Sequence, residues 1–329
     1  MTACPQTLLA AFEKARSILF LTHARPDGDG MGAIVAMARA TRASGRQAHL
    51  LVPDKIPARY DFLFAEEQPA GPERFAELAD AADLVVVADT CARAQLDGID
   101  QAIIDRREKV VVLDHHATSE HIGNVQWVDT TAAAAGVLAA EVLAALGWPV
   151  DEFSAEALLT AITSDTGWLR FANTDGRCLR AAAGLLEAGV RPDKLYMRLF
   201  QCDRPQRLVL MTRMLETLRL ECDGRLASMV IRGGDFKSSG ALPEETENLV
   251  NEALRMGCVE TSLLLVENGN GEVRVSLRSR DAVDVAAVAR PFGGGGHARA
   301  AGLRLKMDID ELRNKLTAVC AAVLEGGAK

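Results

Sequence analysis

Three short aliphatic runs of this chain end directly in acidic or histidine residues. Residues 17–22 run into His23 and Asp27, residues 84–88 into Asp89, and residues 110–113 into Asp114, His115 and His116. A further aliphatic run covers 49–52, and helical patterns lie between these segments. Fully apolar strands alternating with helices predict a parallel sheet covered on both faces. The spacing predicts helices over 32–44, 132–146 (with Gly147 as its stop) and 154–163. At 329 residues the chain has room for roughly two domains of ordinary size. The pattern stays helical from 175 to 200, and Cys202 to Pro205 interrupts it, so a linker is expected over 191–215. The region 216–329 reads as a smaller α/β domain. It has strands over 225–232, 259–266, 272–277 and 303–307, helices over 242–256 and 283–290, and a hairpin turn at Asn268-Gly269-Asn270-Gly271. The expected fold class is α/β: an N-terminal parallel-sheet domain over 1–190 and a C-terminal domain with a mixed sheet.

In an open α/β sheet, ligands bind at the carboxyl ends of the strands. Those ends carry His23, Asp27, Asp29, Asp89, Asp114, His115 and His116, and Asp165 follows the helix at 154–163. Each segment also has a plainer reading. Pro26-Asp27-Gly28 can be a turn with Asp29 capping the next helix, Asp89 can be a cap, the histidine pair can lie on the surface, and Asp165 can close a helix. Taken jointly, five carboxylates and three imidazoles would repel and compete unless cations neutralised them. Two divalent ions sharing a carboxylate can use such a donor set, and mixed His and carboxylate ligands favour a metal such as Mn²⁺. The usual reaction of such pairs is hydrolysis of a phosphate ester.

Lys+Arg total 37 against 45 Asp+Glu, a net charge of −8, which disfavours a nucleic-acid coat protein or a polybasic membrane binder. No apolar run approaches the ~20 residues needed to cross a bilayer, and the N-terminus has no basic-then-apolar signal pattern. The seven cysteines are odd in number and contain no CxxC pair, so a reducing cytoplasm is expected. Against the acidic background, residues 274–306 hold seven Lys/Arg and two Asp. Within them lie Arg278 at a strand end and the run Gly293-Gly294-Gly295-Gly296-His297, a combination suited to binding an anion.

The ordered set His23-x3-Asp27-x-Asp29, Asp89, Asp114-His115-His116, Asp165 and Gly294-Gly295-Gly296-His297-x2-Ala300-Ala301-Gly302 resembles the DHH–DHHA1 phosphoesterases. Within that family it is similar to the stand-alone bacterial enzymes that act as nano-RNases (oligoribonucleases) and pAp phosphatases. The resemblance implies a DHH catalytic domain with two divalent ions, Mn²⁺ by expectation, and a DHHA1 substrate-binding domain. It implies that His23 and Asp27 hold one ion, that Asp29, His115 and Asp165 hold the other, and that Asp89 bridges them. Asp114 is then expected to orient His115, and His116 to contact the scissile phosphate. Arg278, Gly294, Gly295, Gly296 and His297 are expected to receive the distal nucleotide. The implied reaction is two-metal hydroxide attack on short single-stranded RNA or dinucleotides, with pAp as a further substrate, in the cytoplasm and with no membrane partner. A homodimer is compatible with this reading. The rival readings are a pyrophosphatase- or exopolyphosphatase-like hydrolase and a non-catalytic dinucleotide sensor. One departure is visible: where the family often shows a Thr-Gly-Glu-like segment, this chain reads Ala132-Ala133-Ala134-Ala135-Gly136-Val137.

Overall fold

The computed structural model describes residues 4–326 except Asp97, Ala117, Thr118, Asn270, Asp281 and Ala282. One residue of the expected hairpin turn, Asn270, and one acidic residue of the basic segment, Asp281, therefore lie outside the described residues. The chain divides into two compact units, Met1–Cys202 and Asp203–Lys329.

In the first unit, strands β1 (Ser17–Leu21), β2 (Gln47–Leu51), β3 (Leu84–Ala88), β4 (Val110–Asp114) and β5 (Val125–Val128) form one sheet in the order β2-β1-β3-β4-β5. Every pairing is parallel. β3 and β4 are buried along their whole length because helices cover both faces. Alternate residues serve the two sides. Ile18, Phe20, Val86 and Leu113 join the core under α1 (Gln6–Lys14), α2 (Gly28–Ala43), α5 (Ala135–Leu146), α6 (Glu152–Asp165) and α7 (Gly176–Glu187). Leu19, Val85, Val87 and Val112 pack on the opposite side with α3 (Phe75–Ala81) and α4 (Asp100–Ile104). The strand order reverses direction beside β1, so the loops after β1 and β3 part there and leave a crevice at their carboxyl ends. A last helix, α8 (Pro192–Phe200), precedes the unit boundary. No helix is long and apolar enough to cross a membrane among the described residues.

Close packing of α2 on α6 depends on Gly32. A Cβ placed there would lie 2.3 Å from the Ala157 carbonyl oxygen, so only glycine lets the two backbones meet. This brings both ends that carry acidic residues, the start of α2 and the end of α6, to the same edge of the sheet.

The second unit contains α9 (Pro205–Glu216) and strands β6 (Arg219–Glu221), β7 (Leu226–Ile231), β8 (Thr261–Glu267), β9 (Glu272–Ser279), β10 (Gly295–His297) and β11 (Ala300–Lys306). Its sheet runs β10-β11-β9-β8-β7-β6, with β7 and β8 parallel and the other pairs antiparallel, so the expected mixed sheet is present. The short helix α10 (Gly233–Ser239) follows β7. α11 (Val285–Ala289) and α12 (Ile309–Gly326) pack on one face, and α9 joins the core on the other.

The boundary between the two units, Cys202–Asp203, falls inside the segment 191–215, with helices α8 and α9 on either side of it. Two expectations are corrected. The helix expected over 242–256 is a series of 3₁₀ turns at Pro243–Thr246, Leu249–Asn251 and Ala253–Arg255. Asn248 at φ +63° and extended Glu247 interrupt any α-helix there, although Leu249, Val250 and Ala253 keep helix-like apolar spacing toward one core. Finally, the glycine run, whose composition predicts a loop between the 283–290 helix and the next strand, is in part an edge strand: Gly295–His297 pairs with Ala300–Gly302.

Candidate metal centre

Four chain segments converge at the carboxyl edge of the first sheet. The loop after β1 supplies His23, the start of α2 supplies Asp27 and Asp29, β3 leads to Asp89, and β4 leads to Asp114, His115 and His116. The end of α6 adds Asp165. Asp27, not Asp29, caps α2: its Oδ1 accepts the Asp29 and Gly30 amides at 3.0 and 3.2 Å. Asp29 instead has its two carboxylate oxygens on the Ala135 and Gly136 amides, at 2.6 and 2.8 Å, at the start of α5. The Ala-rich segment that lacks the family's hydroxyl and carboxylate thus acts through its backbone. Asp89 sits at φ +67°, where its amide still extends the β4 ladder by donating to the Leu113 carbonyl.

Asp89 lies between two imidazoles. Its Oδ2 is 3.3 Å from His23 Nε2, and its Oδ1 is 3.4 Å from His115 Nε2. Asp27 Oδ1 is 3.8 Å from His23 Nε2, while His115 Nε2 is 3.5 Å from Asp29 Oδ2 and 3.2 Å from Asp165 Oδ2. Among the described residues, three groups each bring one donor atom apiece within 4.8 Å of one another: His23, Asp27 and Asp89; Asp29, His115 and Asp165; and Asp89, His115 and His116.

This donor set fits divalent cations on three observations. Asp89 Oδ1 and His115 Nε2 are buried without a hydrogen bond. His23 Nδ1 donates to the Ala24 carbonyl at 2.9 Å, which turns Nε2 toward the carboxylates as a ligand atom. Carboxylates and imidazoles together match a transition-type divalent ion better than an all-oxygen site does.

Protons balance the charge when no cation does. Burial alone would lower the His23 imidazole, but the neighbouring carboxylates of Asp27 and Asp89 push it up to about 11. Burial likewise opposes protonation of His115, and contacts with Asp165 and Asp89 raise it to about 12. Asp29 is held well above the usual carboxylate range by burial, then by Asp89 and Asp165. Burial would raise Asp89 too, yet the imidazoles of His115 and His23 beside it keep it below the ordinary value.

The family models match this arrangement along the chain: "DHH family, N-terminal domain" over residues 17–162 and "DHHA1 domain" over 226–322. The "Bifunctional oligoribonuclease and PAP phosphatase NrnA" of Thermus thermophilus is 32% identical over 296 residues, covering 89% of this chain and 86% of its own. The chain belongs to the DHH–DHHA1 family of phosphoesterases. An exopolyphosphatase-related protein from Bacteroides fragilis shares the fold, with a TM-score of 0.90 at 20% identity over 97% of this chain and 96% of its own. RecJ from Thermus thermophilus, solved in complex with Mn²⁺, has a TM-score of 0.53 at 16% identity, covering 96% of this chain and 54% of that one.

One expectation drawn from the DHH motif is corrected by geometry. The Asp114 carboxylate orients the imidazole of His116, not that of His115. Asp114 Oδ1 accepts from His116 Nδ1 at 2.8 Å and from the His115 and His116 backbone amides at 2.8 and 3.2 Å. Asp114 therefore holds His115 through its backbone, which leaves the His115 ring facing Asp29, Asp89 and Asp165. Sequence reasoning missed Cys91, whose thiol donates to Asp114 Oδ2 at 2.8 Å. It also missed Asn173, whose amide donates to the Ala133 and Asp165 carbonyls and ties α5's lead-in to the end of α6. No motif marks either residue; their position near Asp89 and Asp165 in sequence was the sole signal.

In the second unit, register brings Arg278 and His297 into one row. Ala300 of β11 pairs with His297 on one side and with Arg278 on the other, so a single methyl separates imidazole from guanidinium across the row. Gly296 sits at φ +140°, and a Cβ there would meet the Ala300 carbonyl oxygen at 2.4 Å, so the turn requires glycine. Gly295, Gly296 and His297 are exposed, and Gly294 is half-buried.

Asp114→Asn keeps the shape of the side chain but removes the charge that favours a proton on His116. Activity falls by about 10–100-fold while metal uptake is retained. Parallel kcat measurements and Mn²⁺ titrations check this; a full-rate variant contradicts the assigned role.

Proposed function

We propose that this chain hydrolyses short oligoribonucleotides and dinucleotides to mononucleotides, and pAp to AMP, at a two-ion centre. The observation that carries the reading is the Asp89 carboxylate, with one oxygen beside His23 and the other beside His115. His23 and Asp27 would hold one ion, Asp29, His115 and Asp165 the other, and Asp89 both. When bound, divalent ions polarise a phosphate and supply hydroxide at neutral pH. Mn²⁺ is the metal favoured by the mixed imidazole and carboxylate donor set.

The chain's own groups do the rest. His116, fixed through Nδ1 by Asp114, presents its other ring nitrogen to the scissile phosphate and protonates the departing oxygen. Asp29, pinned by two amides of α5, keeps its oxygens aligned without a mobile side chain. Arg278 and His297 receive the distal nucleotide. The substrate class rests on the similarity to the Thermus thermophilus enzyme, whose name carries both activities. The odd number of cysteines without a CxxC pair suits a reducing cytoplasmic setting.

A panel assay tests this reading. Purified protein with Mn²⁺ is given a 5′-labelled RNA dinucleotide, pAp, a long RNA and pyrophosphate. Mononucleotide release from the dinucleotide, with little action on the long RNA, is expected. Preferential cleavage of pyrophosphate would overturn it.

A further inference from the structure

The basic segment of the second unit is larger than Arg278 and the glycine run can account for. Along β9, Glu272, Arg274, Ser276 and Arg278 share one face, alternating with the buried Val273, Val275, Leu277 and Ser279. Register sets Arg274 directly opposite Arg304 of β11, Ser276 opposite Gly302, and Arg278 opposite Ala300. Like charges directly opposed on neighbouring strands are destabilising unless something answers them. The partners on hand answer them weakly. Arg304 is 66% exposed with Glu272 at 3.9 Å, and Arg274 bonds the neutral Thr246 hydroxyl. Glu247 attracts Arg274, while burial and the neighbouring Arg304 hold its guanidinium below the ordinary value. Both arginines line a cavity of about 210 Å³, together with Pro243, Glu244, Val266 and Asn268.

We propose that Arg274 and Arg304 form a second phosphate subsite, which takes a backbone phosphate of substrates longer than a dinucleotide. Paired guanidinium forks match phosphate oxygens. Four residues of strand separate this subsite from Arg278, about 13 Å, which a short stretch of extended single strand covers. The path between them is low: Ser276 is small, and Gly302 has no side chain. The subsite would make chain length a determinant of affinity. This rests on the oligonucleotide reading above, with Arg278 as the nearer contact.

Full-length protein is titrated in EDTA, which keeps the ligand intact, with 5′-phosphorylated oligoadenylates of two and four nucleotides. Wild type is expected to bind the tetranucleotide at least about fivefold tighter than the dinucleotide, as each added phosphate contact strengthens binding. Arg304→Gln collapses that ratio toward one. The slope of log affinity against log salt for the tetranucleotide falls by about 0.7 in the same variant, one phosphate contact on a single strand. Arg274→Gln collapses the ratio likewise. A wild type without length preference, or a preference that survives in Arg304→Gln, overturns the subsite. Turnover of the same oligomers with Mn²⁺ is read separately. Its absence sinks the phosphoesterase reading while the binding ratio still decides the subsite.

Discussion

Asp89→Asn eliminates turnover of every phosphate ester the wild type cleaves, lowering kcat by about 10³-fold or more. That loss equals about 4 kcal/mol of transition-state stabilisation, within the several kcal/mol that a polarising ion supplies. Asn is the informative choice. The residue sits at φ +67°, a left-handed conformation that Asn tolerates and most side chains do not. The substitution therefore spares the backbone and the β4 ladder while removing the anionic charge that faces both His23 and His115. Far-ultraviolet circular dichroism separates loss of chemistry from loss of fold. A variant with wild-type kcat would show that Asp89 is not shared between two ions.

Removing metal changes stability in a pH-dependent way, and the sign follows from the histidines. In the metal-free protein His23 stands at about 11 and His115 at about 12, against about 6.5 in an unfolded chain. Their contribution to the stability of the folded metal-free protein is fully present below about pH 6.5 and is lost as pH rises through 11 to 12. Asp29, raised by burial and its acidic neighbours, works in the same direction, because ionising it in the fold becomes a growing cost as pH rises. Cations must displace these protons, so their affinity rises with pH. At a hundredfold excess over Kd, each site adds about 2.7 kcal/mol. A unit of this size gains about 2–4 °C per kcal/mol, hence about 5–11 °C in Tm per site. Differential scanning measurements from about pH 6 to 9 will show the gap between Mn²⁺-loaded and EDTA-treated protein widening. A gap that is absent or narrows with pH contradicts the assignment.

The parallel sheet was legible because β3 is fully apolar and β4 is apolar up to its closing Asp114, the pattern expected of strands covered on both faces. The candidate ligands were legible because Asp and His stood directly at the ends of those strands. What stayed hidden is carried by groups without a side-chain signature. Amides of Ala135 and Gly136 hold Asp29, and an alanine run says nothing of that in sequence. The choice of His116 over His115 as Asp114's partner depends on how the chain turns after β4, which two adjacent histidines leave undetermined. The 3₁₀ turns from Pro243 onward mimic helical spacing because they cover the same core, and extended Glu247 with left-handed Asn248 breaks the helix. β10 was concealed by glycines, which usually mark loops, yet here make room for a tight antiparallel turn.

Anomalous diffraction from crystals soaked in Mn²⁺ addresses the central claim most directly. The account predicts two metal peaks per chain, one with His23 and Asp27, the other with Asp29, His115 and Asp165, and Asp89 contacting both. A single peak, or two peaks that do not share Asp89, would contradict it.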